Sequence, residues 1–73
     1  MINNDILRRL RYALELPDVE LVRLFGLGGQ VVTEAQAKNF MKEEGEPGAK
    51  HCTDPIFACF LDGLILDRRG PPP

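Results

Sequence analysis

The chain contains no serine and no tryptophan, one histidine, one tyrosine and two cysteines among 73 residues. Without serine, the hydroxyl–imidazole–carboxylate machinery of acyl transfer has no nucleophile in its usual form. His51 and Cys52 are adjacent in sequence. Neighbours rarely point at one another, and no third group is placed to orient them. His51, Cys52 and Cys59 lack the spacing of a zinc site, and a fourth ligand would have to come from elsewhere. The acidic run Glu43, Glu44, Glu46 reads as a solvated stretch, with nothing to divide it into acid and base. We therefore expect no enzyme, no metal and no cofactor.

Long hydrophobic runs are also missing. Every apolar stretch is broken by Arg, Asp or Glu well short of the ~20 residues that span a bilayer. The opening, MINNDILRRL, lacks the apolar core and cleavage site of a secretory signal. The expectation is a soluble, cytoplasmic protein with no membrane partner. Cys52 and Cys59 lie about 10 Å apart if both are helical, too far for a disulfide, so both should be thiols, Cys59 as a small core residue. A net charge of −2 argues against a surface wholly given to nucleic acid and leaves room for a local basic patch.

What is present is amphipathic helix. With 44% hydrophobic and 27% charged residues, the chain is a single globular domain near the small end of what folds alone. The strongest pattern is TDPIFACFLDGLILDRR, residues 53–69. Thr53 or Asp54 caps it, Pro55 suits its first turn, and Gly70 stops it. Ile56, Phe57, Phe60 and Leu64 form one apolar face. Ala58, Cys59, Leu61, Gly63, Ile65 and Leu66 carry apolar surface nearly all the way round. A helix of this kind is expected to be buried on all sides, by three other helices or by a second copy of the chain.

A first helix is expected from Asn4, as cap, to Glu15, with Ile6, Leu7, Leu10, Ala13 and Leu14 inward. Arg8, Arg11, Tyr12 and Glu15 then face out, Arg11 pairing with Glu15. A second should run from Pro17 to Leu27, ended by Gly28 and Gly29, whose freedom permits a left-handed exit. FGLGG lacks the context of a phosphate loop and reads as a turn. Thr33-Glu34-Ala35-Gln36 matches a capping box, with Val32 stapled on Ala37, and a third helix should reach Glu44. Residues 45–52 form a loop. The fold class is all-α: a compact bundle of four to five short helices over residues 1–70, with a buried C-terminal helix and a Pro-rich tail, 71–73.

Two functional classes follow. The first is an interaction module that binds itself or a protein partner through Leu61, Ile65 and Leu66. A variant of it is an inhibitor that sequesters a host protein. The second is a transcriptional regulator, because the second helix, a glycine turn and the third helix resemble a helix-turn-helix. Its DNA-facing groups would be Lys38, Asn39 and Lys42, with Arg8 and Arg11 in support. Asn can read adenine, and Lys guanine or phosphate. Glu34, Glu43 and Glu44 frame the same helix and oppose that reading.

Asn4, Leu7, Arg8, Leu10, Arg11, Tyr12, Leu14 and Leu16 make an N-x-x-L-R-x-L-R-Y-x-L-x-L opening. With Lys42-Glu43-Glu44, Pro47-Gly48, Cys52-x-Asp54, Phe60-Leu61-Asp62-Gly63-Leu64-Ile65 and Arg68-Arg69-Gly70, it resembles one unit of the YehS-like family. That family is a bacterial domain of unknown function usually found as two tandem copies. The resemblance implies a bacterial or phage origin and a compact helical unit, and it brings no activity or catalytic residues. This chain departs in having a single unit and in Pro17. If tandem units normally pack together, a lone unit is expected to replace that contact by self-association.

Overall fold

The computed structural model describes residues 1–70, so the tail expected at 71–73 lies outside the described residues. Four helices follow one another: α1 (Asn3–Leu14), α2 (Asp18–Leu27), α3 (Glu34–Met41) and α4 (Asp54–Arg69). The bundle is all-α, and α2 against α4 is its most extensive pairing.

The helix boundaries follow local chemistry. At α3, Thr33 Oγ1 accepts from Gln36 N–H at 3.1 Å while Gln36 Oε1 accepts from Thr33 N–H at 2.9 Å, a complete capping box. At α4, Pro55 sits in the first turn and Gly70, at φ 75°, ends the helix with its N–H on Leu66 O. The start of α1 differs from expectation. Ile2 precedes the helix, and the Asp5 carboxylate, accepting from Ile2 N–H at 2.9 Å, does the work assigned to Asn4. Its end differs too: Glu15 is left-handed, at φ 53°, which takes it away from Arg11. Arg11 instead reaches Asp18, at 3.8 Å. The third helix stops at Met41, three residues early, because Lys42 is extended.

The core comprises Leu7, Leu16, Leu21, Leu24, Phe25, Val32, Ala37, Phe40, Cys52, Phe57 and Phe60. Phe25 is its centre, with ring centroids 5.3 Å from Phe60 and 5.7 Å from Phe40, and Phe57 stacks on Phe60 at 6.3 Å. Ala37 and Val32 are both buried, as the staple requires. Of the stripe foreseen on α1, only Leu7 is fully buried; Ala13 and Leu14 are exposed. The buried edge of α1 turns toward Asn4 instead, and Leu16, beyond the helix, fills core space. Cys59, expected as a small core residue, is only half-buried, while Cys52 is fully buried.

The crossing of α2 and α4 explains two glycines. A Cβ on Gly63 would stand 1.7 Å from Leu24 O, and one on Gly28 would stand 1.6 Å from Cys59 O. Hydrogen at these positions lets the backbones touch, as small residues do at close helix contacts. Gly29, at φ 98°, makes the left-handed exit; Gly28 does not, because its φ is −83°. An ion pair locks the other end of the crossing, where Arg23 bridges Glu20 at 2.7 Å and Asp67 at 2.8 Å.

Helix α4 is not covered all round. Phe57, Phe60 and Gly63 are buried and Ile56 and Leu64 half-buried, but Asp54, Ala58, Leu61, Asp62, Ile65 and Arg69 are exposed. The other three helices are too short and too few to close over a 16-residue cylinder.

Candidate functional site

Three places have the makings of a site: the polar seam between α1 and the α3–α4 connection, the cationic groups of α1 and α3, and the open face of α4.

The seam is built on Asn4, which is 4% exposed. Its Nδ2 donates to Phe40 O at 3.1 Å and Lys50 O at 2.7 Å, and its Oδ1 accepts from Cys52 N–H at 2.9 Å. The neighbouring Asn3 donates to Cys52 O and to Asp54 Oδ1. Two side-chain amides thus satisfy backbone groups that the irregular connection leaves orphaned. A cleft of about 400 Å³ opens beside this seam, lined with charges of both signs, including Asp5, Arg8, Lys42, Glu46, Lys50 and His51. The Asp5 carboxyl titrates below its ordinary value, chiefly because Ile2 N–H donates to it and also because Arg8 and Arg9 are close. Among the described residues, His51 has no hydrogen-bonded partner to orient it. No group of three or more His, Cys, Asp or Glu among the described residues is arranged to hold a metal. Burial, with help from the Asp54 charge, pushes the Cys52 thiol up to about 11, which leaves it a protonated core group at neutral pH.

The four cationic side chains and Asn39 weighed for DNA do not gather on one outward face. Arg8 pairs with Asp5, and its Nη1 donates to Lys42 O at 3.1 Å, satisfying a carbonyl at the end of α3. Lys42 Nζ turns to Pro47 O at 2.8 Å. Asn39 is half-buried, its carbonyl taken by Lys50 N–H and its side chain lying against Gly48. Arg11 reaches Asp18, and its Nε is buried without a hydrogen-bond partner among the described residues. Lys38 alone of the five is exposed and without such a contact among the described residues. The outward placement expected for Asn39 and Lys42 is thereby corrected. The α3–α4 connection folds back over that side of α3, and its carbonyls collect the donors.

On α4, Leu61 is 37% and Ile65 48% exposed. Leu66, one residue on and turned by about 100°, is half-buried on a flank. The stripe through Asp54, Ala58, Leu61, Ile65 and Arg69, spaced four, three, four and four residues apart, is exposed at every position. Sequence reasoning found its apolar members and missed Asn3 and Asn4. A helix-forming pattern carries no signal for an amide whose partners are 36 to 49 residues away.

No helix among the described residues is long and apolar enough to cross a membrane. No solved structure matches the chain. The chain is 40% identical over 70 residues to the uncharacterized protein YehS of Escherichia coli (strain K12), an alignment that covers 96% of this chain and 45% of that protein. It therefore spans about half the length of this curated relative. The profile of a family described as "Protein of unknown function (DUF1456)" matches residues 3–70. The chain belongs to that family.

Proposed function

We propose that this unit is a non-enzymatic helical interaction module of the cytoplasm, binding another protein surface through the open face of α4. The observation that supports this is the exposure of Leu61 and Ile65, with Ala58 one turn before them, on the longest of the four helices described. Solvent-facing aliphatic side chains that lie in one stripe on a rigid helix suit helix-on-helix recognition. Two free thiols fit a reducing compartment.

The test is capture from bacterial lysate by the immobilised chain, with mass spectrometry and nucleic-acid staining of what is retained. Ile65→Asp should abolish a specific protein capture while Lys38→Ala leaves it unchanged. Loss of a retained duplex in Lys38→Ala, with protein capture indifferent to Ile65→Asp, would instead favour the DNA-binding reading.

A further inference from the structure

We infer that the open face of α4 binds a second copy of itself, with the two helices antiparallel about a two-fold axis. This rests on the reading of that face as an interaction surface and names its occupant. Asp54, Ala58, Leu61, Ile65 and Arg69 are all exposed and share one side of the helix. The order along that side is acidic, small, large, large, basic. Turned end over end, the stripe meets its own complement. Asp54 of one copy faces Arg69 of the other, Ala58 faces Ile65, and Leu61 lies beside Leu61 near the axis.

Each element of this pairing is physical. A small side chain opposite a large one lets the helices interdigitate. Opposite charges close both ends, and antiparallel helix dipoles oppose each other favourably. A two-fold contact needs a self-complementary patch, since residue i meets j and j meets i. A parallel pair would set Asp54 on Asp54, Arg69 on Arg69 and Ile65 on Ile65, so charge repulsion selects the antiparallel arrangement. Asp62, about 60° from the stripe at 100° per residue, is the one like-charged approach near the axis and limits affinity. A single helix pair also covers less than the ~800 Å² per partner of a standard interface. The dimer should therefore be weak, with Kd on the order of 10–100 μM.

Sedimentation velocity on the full chain across that concentration range should show a monomer–dimer equilibrium. Ile65→Asp should weaken it at least tenfold and Arg69→Asp several-fold, each with an unchanged helical circular dichroism spectrum. Asp54→Lys combined with Arg69→Asp should recover much of the lost affinity. Geometry is read by oxidative cross-linking in a Cys59→Ala background: Leu61→Cys should give a covalent dimer quickly, and Ile65→Cys should not. A chain that stays monomeric throughout overturns the proposal. So does a dimer that cross-links through Ile65→Cys and not through Leu61→Cys. Neither result touches capture of a different protein that depends on Ile65, so the broader reading stands or falls separately.

Discussion

Where α2 crosses α4, backbone lies on backbone, Gly63 against Leu24 and Gly28 against Cys59, with Phe25 and Phe60 filling the space beneath. Where α1 meets the end of α3 and residues 42–53, side-chain hydrogen bonds make the join. Asn3, Asn4 and Arg8 reach across to carbonyls and an N–H of the last turn of α3 and of the irregular segment that follows it. The first region is held by dispersion and by exclusion of water, with the Arg23–Asp67 ion pair at one end, and depends on close packing. The second is held by hydrogen bonds whose value lies mostly in not being lost, because a buried group left unpaired costs more than the bond contributes. The two should therefore fail differently. The crossing should respond to volume, and the seam to the loss of single atoms.

The largest effect tests the crossing. Phe60→Ala should destabilise by about 3–5 kcal/mol, since Phe60 is fully buried and touches both Phe25 and Phe57. Against the 5–15 kcal/mol of a typical domain, that brings the chain close to unfolding, and urea denaturation followed by circular dichroism would measure it. If the loss were under about 1 kcal/mol, the phenylalanine cluster would not be the centre of the core.

Asn4→Ala sharpens the contrast, because it removes almost no apolar contact. It strands Phe40 O, Lys50 O and Cys52 N–H together, and the expected loss is about 2–3 kcal/mol. Amide hydrogen exchange should distinguish the two variants. Asn4→Ala should speed exchange first in residues 42–53, while Phe60→Ala should speed it throughout α2 and α4.

That contrast also separates what the sequence discloses from what it hides. The α4 pattern, the Thr33 capping box and the ends of α2 rest on residues one to four apart, where periodicity and capping chemistry operate. Asn4 looked like a helix cap because asparagine at a helix start usually is one. Its actual partners are contributed by the end of α3 and by a connection whose course no local rule specifies. Arg8 and Lys42 read as outward cations for the same reason: the carbonyls that claim them exist only once the chain has folded back. The glycines were partly legible. Gly63 counts in the pattern only as part of the apolar surface of the last helix, although a glycine inside a helix costs about 1 kcal/mol relative to alanine and so signals a close neighbour. The exposure of Leu61 and Ile65 follows from a count of helices rather than from their pattern, since three short neighbours leave one side of α4 open.

Two alanine substitutions break the comparison from the glycine side, with opposite signs. Gly63→Ala must push α4 off Leu24 O and should cost about 1–3 kcal/mol despite its better helix propensity. Gly26→Ala, in α2 with nothing within 4 Å of the new methyl, should stabilise by about 0.5–1 kcal/mol. Equal effects at the two positions would mean that the close crossing does not exist in solution.

The smallest effect belongs to the seam and is read by pH. Asp5 accepts from Ile2 N–H and pairs with Arg8, and its carboxyl titrates below its ordinary value of 3.8. Because the folded form holds the proton less tightly than the unfolded chain, the unfolded state binds more protons as the solution is acidified. Stability from this group is complete above the ordinary carboxylate range and drains away as pH falls through and below 3.8. Asp5→Asn should therefore be less stable than the parent at neutral pH and converge on it in acid. Phe60→Ala, whose defect is volume, should hold a constant gap across the same range. Thermal melts of both variants from neutral pH downward check this directly. A gap for Asp5→Asn that did not narrow in acid would show that the start of α1 depends on the shape of Asp5 and not on its charge.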